Sequence, residues 1–144
     1  MPVSQTAGAE LPTAFYAVMV PGGTLESGLA ALGLTGIFDQ SGVPEDQPYD
    51  YVTLGDITEV PWNALQHRGY EATMTLHIWT RQGGFQQAFL IANRLNQLFD
   101  QQTLTLPTQQ SIATMYDGLQ TMNDEDARGR LQHVPIRYRA FTQE

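Results

Sequence analysis

His67, His77 and His133 are the residues of this sequence best suited to metal or acid–base chemistry. His77 and His133 each sit in a stretch of alternating polarity, so neighbouring strands would let the two imidazoles approach. Zinc takes three or four ligands in fixed geometry, and no HxH, HExxH or His–carboxylate spacing supplies the others. The spacing therefore reads as two separate surface histidines, with no metal and no cofactor. Glu45-Asp46 and Asp124-Glu125-Asp126 are carboxylates in polar stretches, where they stay solvated. Catalytic pairs need burial to drive their pKa values apart. Ser4, Ser27, Ser41 and Ser111 lack a GxSxG context, and neither "PGG" nor "RQGG" is a phosphate loop. Cysteine is absent, which excludes thiolate catalysis and disulfides. No catalytic residue is assigned, and the expectation is a protein that is not an enzyme.

The elements that position these residues follow from periodicity. In "YEATMTLHIWTRQGG", Met74, Leu76 and Ile78 alternate with Thr73, Thr75, His77 and Trp79, the pattern of a half-buried strand. "LQHVPIRYRAFTQ" alternates likewise, with Val134, Ile136, Tyr138 and Ala140 on one face and His133, Arg137, Arg139 and Phe141 on the other. Pro135 lacks a ladder donor, which predicts an edge strand or a bulge. "YVTLGDIT" is a third strand, with Val52 and Leu54 on one side, and "TLTL" and "SIATMYD" read as two short ones. "FQQAFLIANRLNQLFD" predicts the best helix, with an apolar stripe of Phe85, Ala88, Phe89, Ala92, Leu95 and Phe99. A first helix begins in "ELPTAFYAVMV", stopped by Pro21-Gly22-Gly23, and Leu25 to Leu32 is weakly helical. "SGVPEDQPYD", "EVPWNALQHRGY" and "GLQTMNDEDARGR" read as loops, and residues 1–10 as a flexible leader. These elements predict a small single domain of α+β class, a mixed or antiparallel β-sheet with a long helix packed on one face.

Charge narrows the partners. No Lys or Arg precedes Arg68, whereas residues 1–67 hold eight acids; residues 68–144 hold seven arginines and seven acids, so the whole net charge of -8 sits in the first half. Such a surface repels phosphate backbones, which argues against a nucleic-acid binder. No stretch reaches the roughly 18 apolar residues of a membrane span, and residues 1–12 have neither the charge nor the apolar run of a secretion signal. The default expectation is cytoplasmic, with no membrane partner. Arg128, Arg130, Arg137 and Arg139 form an arginine-bearing end that could meet the acidic half of a second copy in a head-to-tail ring. Aromatics and arginine are enriched in interface cores. His77, Trp79, Arg81, Arg128, Arg130, Arg137, Arg139 and Phe141 are therefore the candidate interface residues.

The segment from Pro48 to Glu144 resembles the tail completion family of tailed bacteriophages, also called the tail-to-head joining type. The resemblance rests on "YVTLG" (Tyr51 to Gly55), Thr73 to Arg81, Gly84-Phe85, Ile91 to Leu98, Leu104 to Leu106, and Ile136 to Phe141. It extends more loosely to "GIFDQSGVPED", covering residues 36–144. Asp50 stands where the family often has proline, and the segment before it is long. The resemblance implies a hexameric ring at the head-proximal end of the tail tube, a tail terminator that joins the tail to the head connector. The partners implied are copies of itself, a tail tube protein and a head-side connector or stopper protein, in a siphovirus-like phage or gene transfer agent. The location implied is the virion, with the host cytoplasm during assembly. DNA would only pass through the lumen, where Glu45, Asp46 and Asp50 are the acidic lining candidates. A competing reading is a non-enzymatic domain that binds a peptide or metabolite in a sheet–helix cleft.

Overall fold

In a computed structural model of the chain, residues 7–20, 29–39, 42–44, 47–63, 68–81, 85–126 and 129–143 are described, those of Asp126 and Arg130 without their side chains. Two helices, α1 (Leu11–Met19) and α2 (Gln86–Phe99), cover one face of a mixed six-stranded sheet. Its strands are β1 (Ile37–Asp39), β2 (Tyr51–Pro61), β3 (Gly69–Thr80), β4 (Gln110–Leu119), β5 (Met122–Asp126) and β6 (Gly129–Gln143). The order across the sheet is β1-β2-β3-β6-β4, with β5 also paired to β6. Only β1 runs parallel to its neighbour; the other pairings are antiparallel.

The period-2 patterns decide which way each strand faces. Tyr70, Ala72, Met74, Leu76 and Ile78 of β3 and Val134, Ile136, Tyr138 and Ala140 of β6 turn inward and are buried. α2 meets them with Ala88, Ile91, Ala92, Leu95 and Phe99, and α1 adds Leu11, Ala14, Phe15 and Met19. Pro12 in the first turn of α1 loses no helical hydrogen bond. Phe15 stacks on Phe99 with centroids 4.6 Å apart, and both tilt against Tyr138. The buried Tyr138 hydroxyl donates to Asn96 Oδ1 at 2.6 Å, so the core keeps its polar group satisfied.

Several sequence expectations need correction. Phe89 is 41% exposed, and Ile91 takes its place in the stripe. Successive residues are ~100° apart around a helix, so 88, 91, 92, 95 and 99 share a face from which 89 is turned away. β6 is not an edge strand, since it lies between β3 on one side and, on the other, β4 and β5, each of which pairs with it. Pro135 is tolerated because its carbonyl accepts from Gln120 N–H, which fixes that side of residue 135 toward β4 and β5. The missing N–H falls on the same side, at the interruption between Leu119 and Met122. "GLQTMNDEDARGR" holds β5 and the starts of β6, whereas "TLTL" is not a strand. "EVPWNALQHRGY" is shorter as a loop than expected, because β2 runs to Pro61 and β3 starts at Gly69. The strand at residues 37–39 was not foreseen. At the leader's end, Ala7–Ala9 form a 3-10 turn whose Gly8 N–H donates to Glu59 Oε1 at 3.1 Å. The stop at Pro21–Gly23 and residues 1–6 lie outside the described residues.

Candidate functional site

Both helices pack on the even-numbered side of β3 and β6, so the odd-numbered side is uncovered by either helix, and its described residues are mostly half-buried. Register sets its composition: Trp79 lies opposite His133, Thr75 opposite Arg137, Thr73 opposite Arg139, and Glu71 opposite Phe141. β2 contributes Tyr51 opposite Trp79 and Thr53 opposite His77. The face thus has an aromatic and imidazole end and an ionic end.

At the first end the Trp79 and His133 rings stack at 3.9 Å and 7°. The Trp79 indole N–H donates to Thr53 Oγ1 at 3.2 Å. His77 Nδ1 and His133 Nε2 are 2.6 Å apart, in a hydrogen bond, and Asp124 Oδ2 lies 3.4 Å from His133 Nδ1. The expectation of two separate histidines is therefore overturned: adjacent strands with outward-facing residues bring the rings together. A metal-binding group of three or more His, Cys, Asp or Glu is not found among the described residues. Gly55 makes room for this arrangement in a β2 irregularity between Leu54 and Ile57. A Cβ there would lie 2.5 Å from His77 Nε2. Val43, Tyr51, Thr53, His77, Trp79 and His133 line a pocket of about 350 Å³. Beside it, Tyr49 packs on Tyr51, and the Arg81 guanidinium sits 4.5 Å from the Tyr49 ring centre.

Burial holds the His77 pKa below its ordinary 6.5, the His133 charge adds to that, and Asp56 partly opposes it. His133 is also lowered, first by burial, with Asp124 opposing. The unfolded chain takes up protons near 6.5 before the folded one does. Stability that is complete above pH 6.5 is therefore lost as pH falls toward the lower folded values. Urea midpoints should drop between about pH 7.5 and 5.5, and more steeply in the native chain than in His133→Gln. Equal slopes in both proteins would show that the pair is not linked to folding.

The ionic end pairs within the chain. Arg139 reaches Glu71 at 3.1 Å and Asp117 at 3.4 Å, and Arg137 reaches Asp117 at 3.8 Å. The two arginines are half-exposed, so each pair is worth about 0–1 kcal/mol. Much of their charge is answered internally rather than held open for another copy. Phe141 is half-buried, packed edge-on against Trp62 at 5.1 Å; Trp79 is likewise half-buried rather than exposed. Arg130 stands in β6 opposite Glu125. Arg128, Glu45 and Asp46 lie outside the described residues.

Asp50 does not fit a solvated lining role, because it is 5% exposed. Burial raises its pKa, opposed by the Arg81 backbone N–H that it accepts. The charge is thus a cost at neutral pH, and Asp50→Asn keeps an acceptor while removing it. This variant should unfold at the same or a higher urea concentration than the native chain. A clear loss of stability would mean that the charge itself is needed.

Tyr51, Thr53, Asp117 and Asp124 were missed as members of this face. In "YVTLG" the alternation that buries Val52 and Leu54 also turns Tyr51 and Thr53 outward, so two of them were readable. Asp117 closes "SIATMYD", read as a strand whose neighbour was unknown, and Asp124 lies in a stretch read as loop, so both depended on pairing with β6.

The fold is shared with a chain in a solved structure described as the virion of a native gene transfer agent (GTA) particle. The TM-score is 0.80 at 18% identity, covering 98% of this chain and 100% of that one. No curated protein matches the sequence. The pattern of the family described as tail completion protein gp17 matches residues 24–143. The uncovered face thus belongs to a structural protein of phage-type tails, a member of the tail completion protein gp17 family.

Proposed function

We propose that the chain forms a closed, hexameric ring at the head-proximal end of a tail tube, terminating the tail and joining it to the head-side connector. The observation that carries this reading is the uncovered sheet face in a family of tail completion proteins. On it Trp79, His133, His77 and Tyr51 form a preordered aromatic patch, the kind of surface that concentrates binding energy. A structural role needs no catalytic group, in keeping with the expected non-enzyme. Tail tube protein on one side and a connector protein on the other are the partners, assembled in the host cytoplasm and retained in the virion. The acidic first half suits a conduit, since carboxylates repel the DNA backbone and let it slide.

Light scattering tests the ring directly. The expected result is a species near six times 16.0 kDa, alone or on addition of tail tube protein. Trp79→Ala should weaken that assembly by tenfold or more, about 1.4 kcal/mol, while leaving the monomer folded. Normal assembly of the variant would take Trp79 out of the interface. A chain that stays monomeric with tube and connector proteins would overturn the ring. The reading then favoured is a binding domain that uses the 310 Å³ pocket between α1 and Thr105–Pro107, lined by Glu10, Thr13, Ala14 and Ala17.

A further inference from the structure

We propose that His77 and His133 form a proton-operated latch on the uncovered face, closed by their mutual hydrogen bond and opened when both rings are charged. A neutral imidazole has one donor and one acceptor nitrogen. Asp124 lies at His133 Nδ1 and, ionised, can only accept, so the His133 proton sits on Nδ1 and its Nε2 is an acceptor. His77 must then donate from Nδ1 across the 2.6 Å contact. The lone pair of His77 is left on Nε2, which packs over Gly55. Both histidines thereby carry the Nδ1–H tautomer.

This arrangement treats successive protons differently. A first proton enters at His77 Nε2 and leaves the Nδ1–H to Nε2 bond in place. A second can enter only at His133 Nε2, which turns acceptor into donor and sets two N–H groups and two charges against each other. The rings must then part. His133 is stacked on Trp79, so its departure unstacks the indole and enlarges the pocket bounded by Val43, Tyr51 and Thr53.

Charged groups approach the pair from β2, β5 and β6. Asp56 of β2 acts on His77, and Asp124 of β5 holds His133. Arg137, two residues beyond Pro135 on β6, is engaged by Asp117. Tyr51 and Thr53 of β2 are uncharged neighbours. Among the described residues the carboxylates acting on the pair are Asp56 and Asp124, and the two protonation steps are properties of the pair.

Long-range proton–nitrogen NMR of the imidazoles in the intact chain, with His67→Gln to leave two rings, reads the tautomers at neutral pH. The expected result is Nδ1–H on both His77 and His133. An Nε2–H tautomer on either ring would overturn the proposal. Acidification of the Trp62→Phe variant then reports Trp79 alone by fluorescence. Its emission should hold through the first protonation and change with the second, and His133→Gln should abolish that change. Emission that follows the first proton, or never changes, would equally overturn the latch. These readouts concern single subunits, so they stand or fall separately from ring formation, which light scattering reports.

Discussion

Phe99→Ala should cost roughly 3–5 kcal/mol, the range for removing a large buried aromatic. Phe99 has no solvent exposure and closes α2 onto the core at a point where two other rings meet it. Its ring stacks on Phe15 at 4.6 Å and tilts on Tyr138 at 5.4 Å, so truncation opens a void between α1, α2 and β6 at once. None of these neighbours can collapse into the gap freely: Tyr138 is tethered through its hydroxyl to Asn96, and Phe15 sits in a helix. Since whole domains are stable by only about 5–15 kcal/mol, this single change should remove roughly a fifth or more of the total. Phe89→Ala is the matched control. Phe89 lies on the same helix but is 41% exposed, and its loss should fall within about 0.5 kcal/mol. Urea unfolding of the two variants decides the matter, and similar losses in both would contradict the core described above.

Gly69→Ala should cost about 1–3 kcal/mol, as overpacking does where nothing flexible can yield. Gly69 opens β3 at the mouth of the β2–β3 hairpin. Its carbonyl accepts from Trp62 N–H at 2.8 Å, and its N–H donates to Asn63 Oδ1 at 3.2 Å. A Cβ would lie 2.3 Å from the Trp62 carbonyl oxygen and 2.9 Å from that of Thr142. Both are backbone atoms, one in the residue just past the end of β2 and one in β6, so relief requires moving main chain rather than turning a side chain. The sheet's far end should loosen, and the Trp62–Phe141 contact with it. Hydrogen exchange of the amides near Gly69 and Thr142 would show the loosening, together with a lower urea midpoint. Unchanged protection at both positions would mean that the hairpin mouth adapts at no cost.

The sequence carried the fold's main elements wherever a period was long enough to read. Twelve residues of β3 and fifteen of β6 show which side faces the helices, and α1 and α2 stand out by their apolar stripes. β1 has three residues, too few to express any period. β5 consists of "MNDED", whose polarity imitates a loop because it pairs on only one side and has little to bury. Within the site, Trp79, His77 and His133 were identifiable as outward-facing. Their contact was not, because it depends on β3 lying beside β6 in a specific register. The same missing register hid Glu71, and the unknown β4–β6 pairing hid Asp117, as partners of Arg139, and so the arginines read as an open charge surface.

β6 occupies the middle of the sheet although it is the last element of the chain, and its pairing with β3 joins Gly69 to Gln143 and Thr80 to Gln132. The central ladder is therefore built from contacts more than 50 residues apart. Closing such loops has to precede the reward of pairing, which places the chain among slower folders, on the order of milliseconds to seconds. Before β6 docks, β3 exposes an unpaired edge rich in β-branched and aromatic residues, an invitation to join strands from other chains. The rate at which β6 reaches that edge, more than the final stability, should govern how much of the newly made protein becomes available for assembly.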